Sequence, residues 1–337
     1  MKKCVFVLGA GFSADVAGYP ILEGLSENVS RSFQIAGLKM ESIKGEIKIP
    51  GAILANVERL MSYLTQDHPW RKESDTYIYK AMYAELTTIL SETFEGLERL
   101  KASDIAVNDD AKKLVKILHD QKAVVASFNY DILIEQLVLN MRGAAYFPFD
   151  IPIVNLYQTP MSHINSRGGA ITYPESSDTF KLLKLHGSTN WYYSGSGYAG
   201  DQIYYRGPND AEDQELVTKN KRGLKPFLIP PLLDKTTFYF SHAVQVQWRM
   251  FKEALLNAEY ICFIGYSFPL SDTTIVSLFE EIVMSRGQIR GIALVKEKTE
   301  AAYSAVKERY LGIFGQKFEV ENVEGKSVVR AAEWVSQ

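Results

Sequence analysis

Cysteine is nearly absent: Cys4 and Cys262 are the only two in 337 residues. Each sits inside an apolar run, and no Cys-x-x-Cys pair exists. A zinc site built on four cysteines is therefore excluded, and no disulfide framework is indicated. Long apolar runs are missing too. No stretch approaches the roughly 20 residues that a helix needs to cross a bilayer. The start, Met1-Lys2-Lys3 before Cys4–Leu8, has the order of a signal peptide, but its apolar part is short and runs directly into a glycine loop. A buried first strand is the expectation, and with it a cytoplasmic chain. Charge of one sign is also lacking. Lys plus Arg number 37 and Asp plus Glu 40, a net charge of -3. That balance argues against a surface that coats nucleic acid or anionic membrane, and neither is expected as a direct partner. Repeats and low-complexity tracts are absent. What remains is an ordinary globular composition, 46% hydrophobic and 23% charged, able to bury a sizeable core.

The pattern along the chain is that of an α/β protein. Cys4–Leu8 is a β-branched and aromatic run that stops at Gly9-Ala10-Gly11. Residues 21–121 read as a long helical insertion, with Ile53, Val57, Leu60, Met61 and Leu64 at helical spacing. Further strands are expected at 123–126, 180–185, 227–229, 260–264 and 291–295. Helices are expected after Asp131 and over 243–256, 273–285 and 299–310. Residues 194–225 form a polar, Gly-, Asp- and Asn-rich loop insertion, with a hairpin around Ile203-Tyr204-Tyr205. Strand–helix alternation predicts a Rossmann-like parallel sheet with helices on both faces, in a single domain spanning 1–337.

Ligands of open parallel sheets bind at the carboxyl ends of the strands. Four such ends here carry chemistry: Gly9, Ala10, Gly11 and Ser13; Asn129 and Asp131; His186 and Ser188; Gly265 and Ser267. Gly9-x-Gly11-x-x-Ala14 fits a phosphate-binding turn, and the same spacing also serves any tight strand-to-helix turn. A hydride-transfer enzyme would follow it with a second strand and an acidic residue roughly 20 positions on. Residues 26–37 read helical instead, which disfavours that class. Asn129 or Asp131 would serve as a helix cap, yet a cap needs only one of them. His68, His119, His163 and His242 have no comparable setting.

In this order the segments resemble the sirtuin-like NAD-binding family, and within it the bacterial NAD hydrolases of anti-phage defence systems. Gly9-Ala10-Gly11-Phe12-Ser13 with Gly18-Tyr19-Pro20 looks like the family's opening nucleotide loop. Ser127-Phe128-Asn129-Tyr130-Asp131 is similar to its Asn-x-Asp segment, Lys184–Trp191 to its catalytic histidine segment, and Gly265–Pro269 to its late Gly-x-Ser loop. The chain departs from the protein deacylases in two places. It cannot build their four-cysteine module, and Ile21-Leu22-Glu23 stands where they carry Asp-Phe-Arg.

The resemblance implies an NAD glycohydrolase that needs no metal. NAD is its substrate, Asn129 and His186 are catalytic, and Gly9, Ala10, Gly11, Ser13, Asn129, Asp131, Gly265 and Ser267 hold the dinucleotide. His186 is expected as a base near neutrality. A deacylase, an ADP-ribosyltransferase and a non-catalytic sensor of NAD or ADP-ribose are the alternatives. Residues 311–337 are too few for a separate sensor domain. Control is therefore expected from self-assembly as a homo-oligomer or from an activating partner. By resemblance that partner is a HerA-type ATPase or a short Argonaute.

Overall fold

The computed structural model describes residues 3–21, 24, 26–27, 49–142, 151–164, 171–172, 178–193, 202–207, 224–230, 235, 238–239, 241–269, 272–323 and 325–336. Its strands are β1 (Cys4–Leu8), β2 (Val124–Ser127), β3 (Met161–His163), β4 (Ile171–Thr172), β5 (Lys181–Lys184), β6 (Gly187–Tyr193), β7 (Tyr204–Tyr205), β8 (Lys225–Leu228), β9 (Tyr260–Ile264), β10 (Arg290–Val295) and β11 (Glu319–Asn322). Its helices are α1 (Ala10–Ala17), α2 (Gly51–Leu54), α3 (Val57–Thr65), α4 (Glu73–Ala106), α5 (Asp109–Asp120), α6 (Leu133–Met141), α7 (His242–Asn257), α8 (Thr273–Arg286), α9 (Glu300–Phe314) and α10 (Ser327–Val335).

Six strands pair in the order β11-β10-β9-β1-β2-β5, and every pairing is parallel. All five residues of β1 are buried, as a central strand covered on both faces requires. The period-two alternation sorts them. Cys4, Phe6 and Leu8 join a core with Cys262 and Ile264 of β9 and the apolar faces of α1, α5 and α10. Val5 and Val7 join a second core with Ile261 and Phe263 and the faces of α7, α8 and α9. Both cysteines lie in these neighbouring strands as buried free thiols. The chain runs outward from β1 through β2 to β5, then returns to the other side of β1 as β9. That reversal beside β1 is a topological switch point, where a crevice opens at the carboxyl ends.

The stretch between β1 and β2 holds α1 to α5 among the described residues. The helix expected at 26–37 lies almost wholly outside them. α4, with 34 residues, runs about 50 Å. Met82, Leu86 and Leu90 bury its apolar stripe, and then Glu95 and Glu98 on the same side are buried as well. α3 and α5 begin at asparagine caps. Asn56 accepts from the Arg59 amide at 2.9 Å and Asn108 from the Ala111 amide at 3.0 Å.

A second sheet, β4-β3-β7-β6-β8, was not expected. His186 does not end a strand at a loop. The chain turns there and runs into β6, all seven residues of which are buried. Gly187 makes the turn possible, with φ +77 and a Cβ position only 2.1 Å from the Phe227 carbonyl. The polar groups of Ser188-Thr189-Asn190 are satisfied within the fold. Thr189 Oγ1 donates to Glu98 Oε1 at 2.7 Å, and Asn190 Nδ2 donates to the Tyr157 hydroxyl at 3.1 Å. β8, expected simply as a further strand, pairs antiparallel with β6 in this second sheet. Most of the 194–225 insertion lies outside the described residues. Tyr204–Tyr205 within it is a two-residue strand, antiparallel to β6.

Candidate active site

β1 ends at Gly9, which caps α1, and β9 ends at Gly265 directly above it. Gly265 has φ +65, and a Cβ there would lie 2.1 Å from the Phe12 amide nitrogen and 2.5 Å from Gly11 Cα. Backbone touches backbone, so side chains are excluded at this crossing. The contact is hydrogen-bonded: Gly9 N–H donates to the Ile264 carbonyl at 3.0 Å and Gly11 N–H to the Gly265 carbonyl at 2.9 Å. The expectation that this turn offers its amides to a pyrophosphate is corrected accordingly. Gly9 and Gly11 spend their donors on the β9 loop, and Phe12 donates to Gly9 at 2.9 Å. Among the described residues no hydrogen bond is made by the Ala10 amide at the helix start.

Ser13 is also corrected. It is 2% exposed and does not line the cleft. Its hydroxyl donates to Asp131 Oδ2 at 2.7 Å and accepts from Asn129 Nδ2 at 2.9 Å. Asn129 Nδ2 also donates to the Gly9 carbonyl at 2.9 Å. Both amide hydrogens are thereby committed, which leaves Oδ1 as the group Asn129 can offer a ligand. Asp131 is buried behind the same loop. Its Oδ1 accepts the Leu133 amide at 3.1 Å, so it caps α6 and anchors Ser13 at once. Lys184 Nζ donates to the Asp131 carbonyl, and Glu98 Oε1 accepts the Ile132 amide at 3.2 Å. β5 and α4 therefore hold the Asn129–Asp131 loop from two sides.

His186 is 6% exposed and lies edge-on to Phe128, ring centroids 5.1 Å apart. Burial, assisted by the Lys235 ammonium, lowers its pKa to about 3 against the opposing pull of Asp272. The base is therefore neutral over the physiological range and much weaker than expected. A backbone interaction with Phe128 also opposes the lowering.

One cleft of about 410 Å³ gathers Gly9, Ala10, Gly11, Asn129, His186, Gly265 and Ser267. Four strand ends meet there, as anticipated, with Ser13 and Asp131 supporting from behind. The loop after β9 is strained: Phe268 has φ 49 and is 1% exposed, packed against Phe263 and Tyr310. Arg309 Nε donates to the Ser267 carbonyl at 3.1 Å and pins it. The wall also contains residues the sequence reading passed over: Glu58 from α3, Tyr266, Lys235 and Asp272. Asp272 stands just past the glycine loop, at the N-cap of α8, and was within reach of a spacing argument. Lys235 had no sequence signal.

Fold and cleft together define a parallel α/β protein with a polar, glycine-walled pocket at its switch point. No protein-family model and no curated protein sequence matches the chain. Two solved structures are similar to it at 13% identity. One, described as "Structural Basis for the Mechanism and Regulation of Sir2 Enzymes", has a TM-score of 0.45 and covers 99% of this chain and 92% of that one. The other, "Sir2-p53 peptide-NAD+", has a TM-score of 0.40 and covers 99% of this chain and 91% of that one. The fold follows from the chain's own strand order, six parallel strands with the reversal beside β1.

Proposed function

We propose that this cleft binds NAD and that water cleaves its nicotinamide–ribose bond, giving nicotinamide and ADP-ribose. The observation that carries the reading is the meeting in one cleft of Asn129, whose amide hydrogens are committed so that Oδ1 faces a ligand, and the neutral imidazole of His186, beside the Gly9–Gly11 turn. In the proposed step the C1′–N bond breaks and its electrons return to the pyridinium nitrogen, so nicotinamide leaves neutral. The ribose carbon becomes cationic, as in glycoside hydrolysis. Water adds to that carbon and becomes strongly acidic as it does so. A base as weak as His186 then suffices to take its proton, and Asn129 Oδ1 orients the water or a ribose hydroxyl. Ala10, Gly265 and Ser267 would contact the phosphates or the adenine-side ribose.

No three-membered group of His, Cys, Asp or Glu among the described residues is arranged to hold a metal, and the proposed step uses none. No helix among them is long and apolar enough to cross a membrane. The defence role, cytoplasmic location, homo-oligomeric state and external activating partner rest on the motif resemblance alone. The test is to incubate the purified chain with NAD, with and without an acyl-lysine peptide. Nicotinamide and ADP-ribose released without peptide support the hydrolase. Release only with peptide makes it a deacylase, and tight binding without turnover makes it a sensor. Light scattering across a concentration series, with turnover measured in parallel, tests assembly. A strictly monomeric chain of concentration-independent activity removes that part.

A further inference from the structure

The cleft contains a buried ion pair that the reaction above does not use. Lys235 Nζ binds Asp272 Oδ1, with side chains 8% and 10% exposed, and both residues line the cleft beside His186. The Tyr266 hydroxyl donates to the other carboxylate oxygen, Oδ2, at 3.0 Å. Asp272 occupies the N-cap of α8, where an aspartate ordinarily turns back onto its own helix amides. Here it makes no such bond. Its carboxylate is drawn into the cleft instead. Burial pushes this carboxyl up, and the Lys235 ammonium with the hydrogen bonds from Lys235 and Tyr266 pulls it back down. The support is rigid. The Tyr266 ring stacks on Phe128 at 4.9 Å, and its carbonyl accepts from the Tyr310 hydroxyl at 2.6 Å. A carboxylate held charged and desolvated, at the expense of a helix cap, is a strong local field for any charged ligand.

We propose that Asp272 is a specificity-determining residue: its carboxylate is the counter-charge for the cationic pyridinium ring of oxidised nicotinamide dinucleotide, and Lys235 compensates and positions it in the empty cleft. This rests on the dinucleotide reading above. Oxidised and reduced dinucleotides share their phosphates, riboses and adenine, and they differ in the charge of the nicotinamide ring. The phosphates are common to both forms and cancel in the comparison. Lys235 and Asp272 form a neutral pair, so discrimination comes from a ring seated nearer the carboxylate than the ammonium, and only the oxidised ring carries a charge for it to attract. When the glycosidic bond breaks, the ring nitrogen regains its electron pair, and the same carboxylate loses its hold on neutral nicotinamide.

The test is calorimetric titration of the full chain with carba-NAD (oxidised and resistant to cleavage), NADH and ADP-ribose. Wild type is expected to prefer carba-NAD to NADH. Asp272→Asn, which keeps shape and the Tyr266 bond, should weaken carba-NAD about ten- to hundredfold while NADH and ADP-ribose change less than about twofold. If that variant melts far below wild type, because Lys235 is left unpaired, the double variant Lys235→Met/Asp272→Asn carries the same comparison without an isolated buried charge. Binding of all three ligands that weakens equally, or not at all, overturns the assignment of Asp272 and leaves the dinucleotide reading standing. Wild type that binds none of the three overturns both.

Discussion

Ser13 tests how the cleft is built, because it touches no ligand yet joins Asn129 to Asp131. Its hydroxyl closes two buried bonds, 2.7 Å to Asp131 Oδ2 and 2.9 Å from Asn129 Nδ2. Ser13→Ala leaves one lone pair of a buried carboxylate and one amide hydrogen without partners. An unsatisfied buried polar group costs about 1–3 kcal/mol. Asn129 keeps its bond to Gly9 and Asp131 its bond to Leu133, so the low end applies to each, and about 2–3 kcal/mol in total is expected. For a chain of 337 residues that lowers the melting temperature by roughly 3–4 °C. Turnover should fall as well, because Asn129 can then rotate about its remaining bond. If Ser13 acts only through Asn129, the double variant Ser13→Ala/Asn129→Ala should turn over NAD no more slowly than Asn129→Ala alone. Thermal unfolding and nicotinamide release, measured on the two single variants and the double, read both quantities. Additive losses of turnover, or a Ser13→Ala protein with native melting and native rate, would refute the relay.

Three further outcomes are expected. Burial raises the Glu98 carboxyl from its ordinary 4.5 to about 8, against the hydrogen bond from Thr189. The folded state therefore holds a proton that the unfolded chain releases, and this contribution is full below pH 4.5 and lost as pH rises through 8. Denaturant unfolding from pH 5 to 8.5 should show Glu98→Gln removing a slope of about 1.4 kcal/mol per pH unit, and equal slopes for both proteins would contradict the assignment. Gly265→Ala places a Cβ 2.1 Å from the Phe12 nitrogen at a positive φ, so it should abolish soluble folded protein or all nucleotide binding. A variant that binds NAD normally speaks against the crossing. Because the proposed step uses no metal, a strong chelator should leave both melting temperature and turnover unchanged. Stoichiometric zinc in the purified chain would count against that claim.

The parallel sheet was legible because its strands are short β-branched runs, each closed by glycine or polar residues, and burial on both faces leaves them continuously apolar. The convergence of Gly9, Asn129, His186 and Gly265 was legible from their shared position at the carboxyl ends of parallel strands, without the strand order. The second sheet was not legible. β4 and β7 have two residues each, too few to show alternation, and β6 buries Ser188, Thr189 and Asn190, polar residues whose partners, such as Glu98 of α4, are distant in sequence. Long-range hydrogen bonding is likewise silent in sequence. Ser13 and Asp131 are 118 positions apart, so spacing could nominate Ser13 for the site but not assign it a supporting role. The weakness of His186 as a base comes from burial and from Lys235, a residue with no motif of its own. The chemistry-bearing ends of strands show in local pattern, whereas the groups that tune them arrive from elsewhere in the chain.

The most direct measurement is nicotinamide and ADP-ribose release from NAD by wild type, Asn129→Ala and His186→Ala, without acyl-lysine and over a range of protein concentrations. The account predicts equimolar products from wild type, rising with assembly. It predicts a loss of about 100-fold, the low end for a general base, in His186→Ala, and of orders of magnitude in Asn129→Ala, which also melts lower because the bonds to Gly9 and Ser13 are lost. Near-normal hydrolysis by a natively folded His186→Ala, or no release by wild type at any concentration, would contradict it.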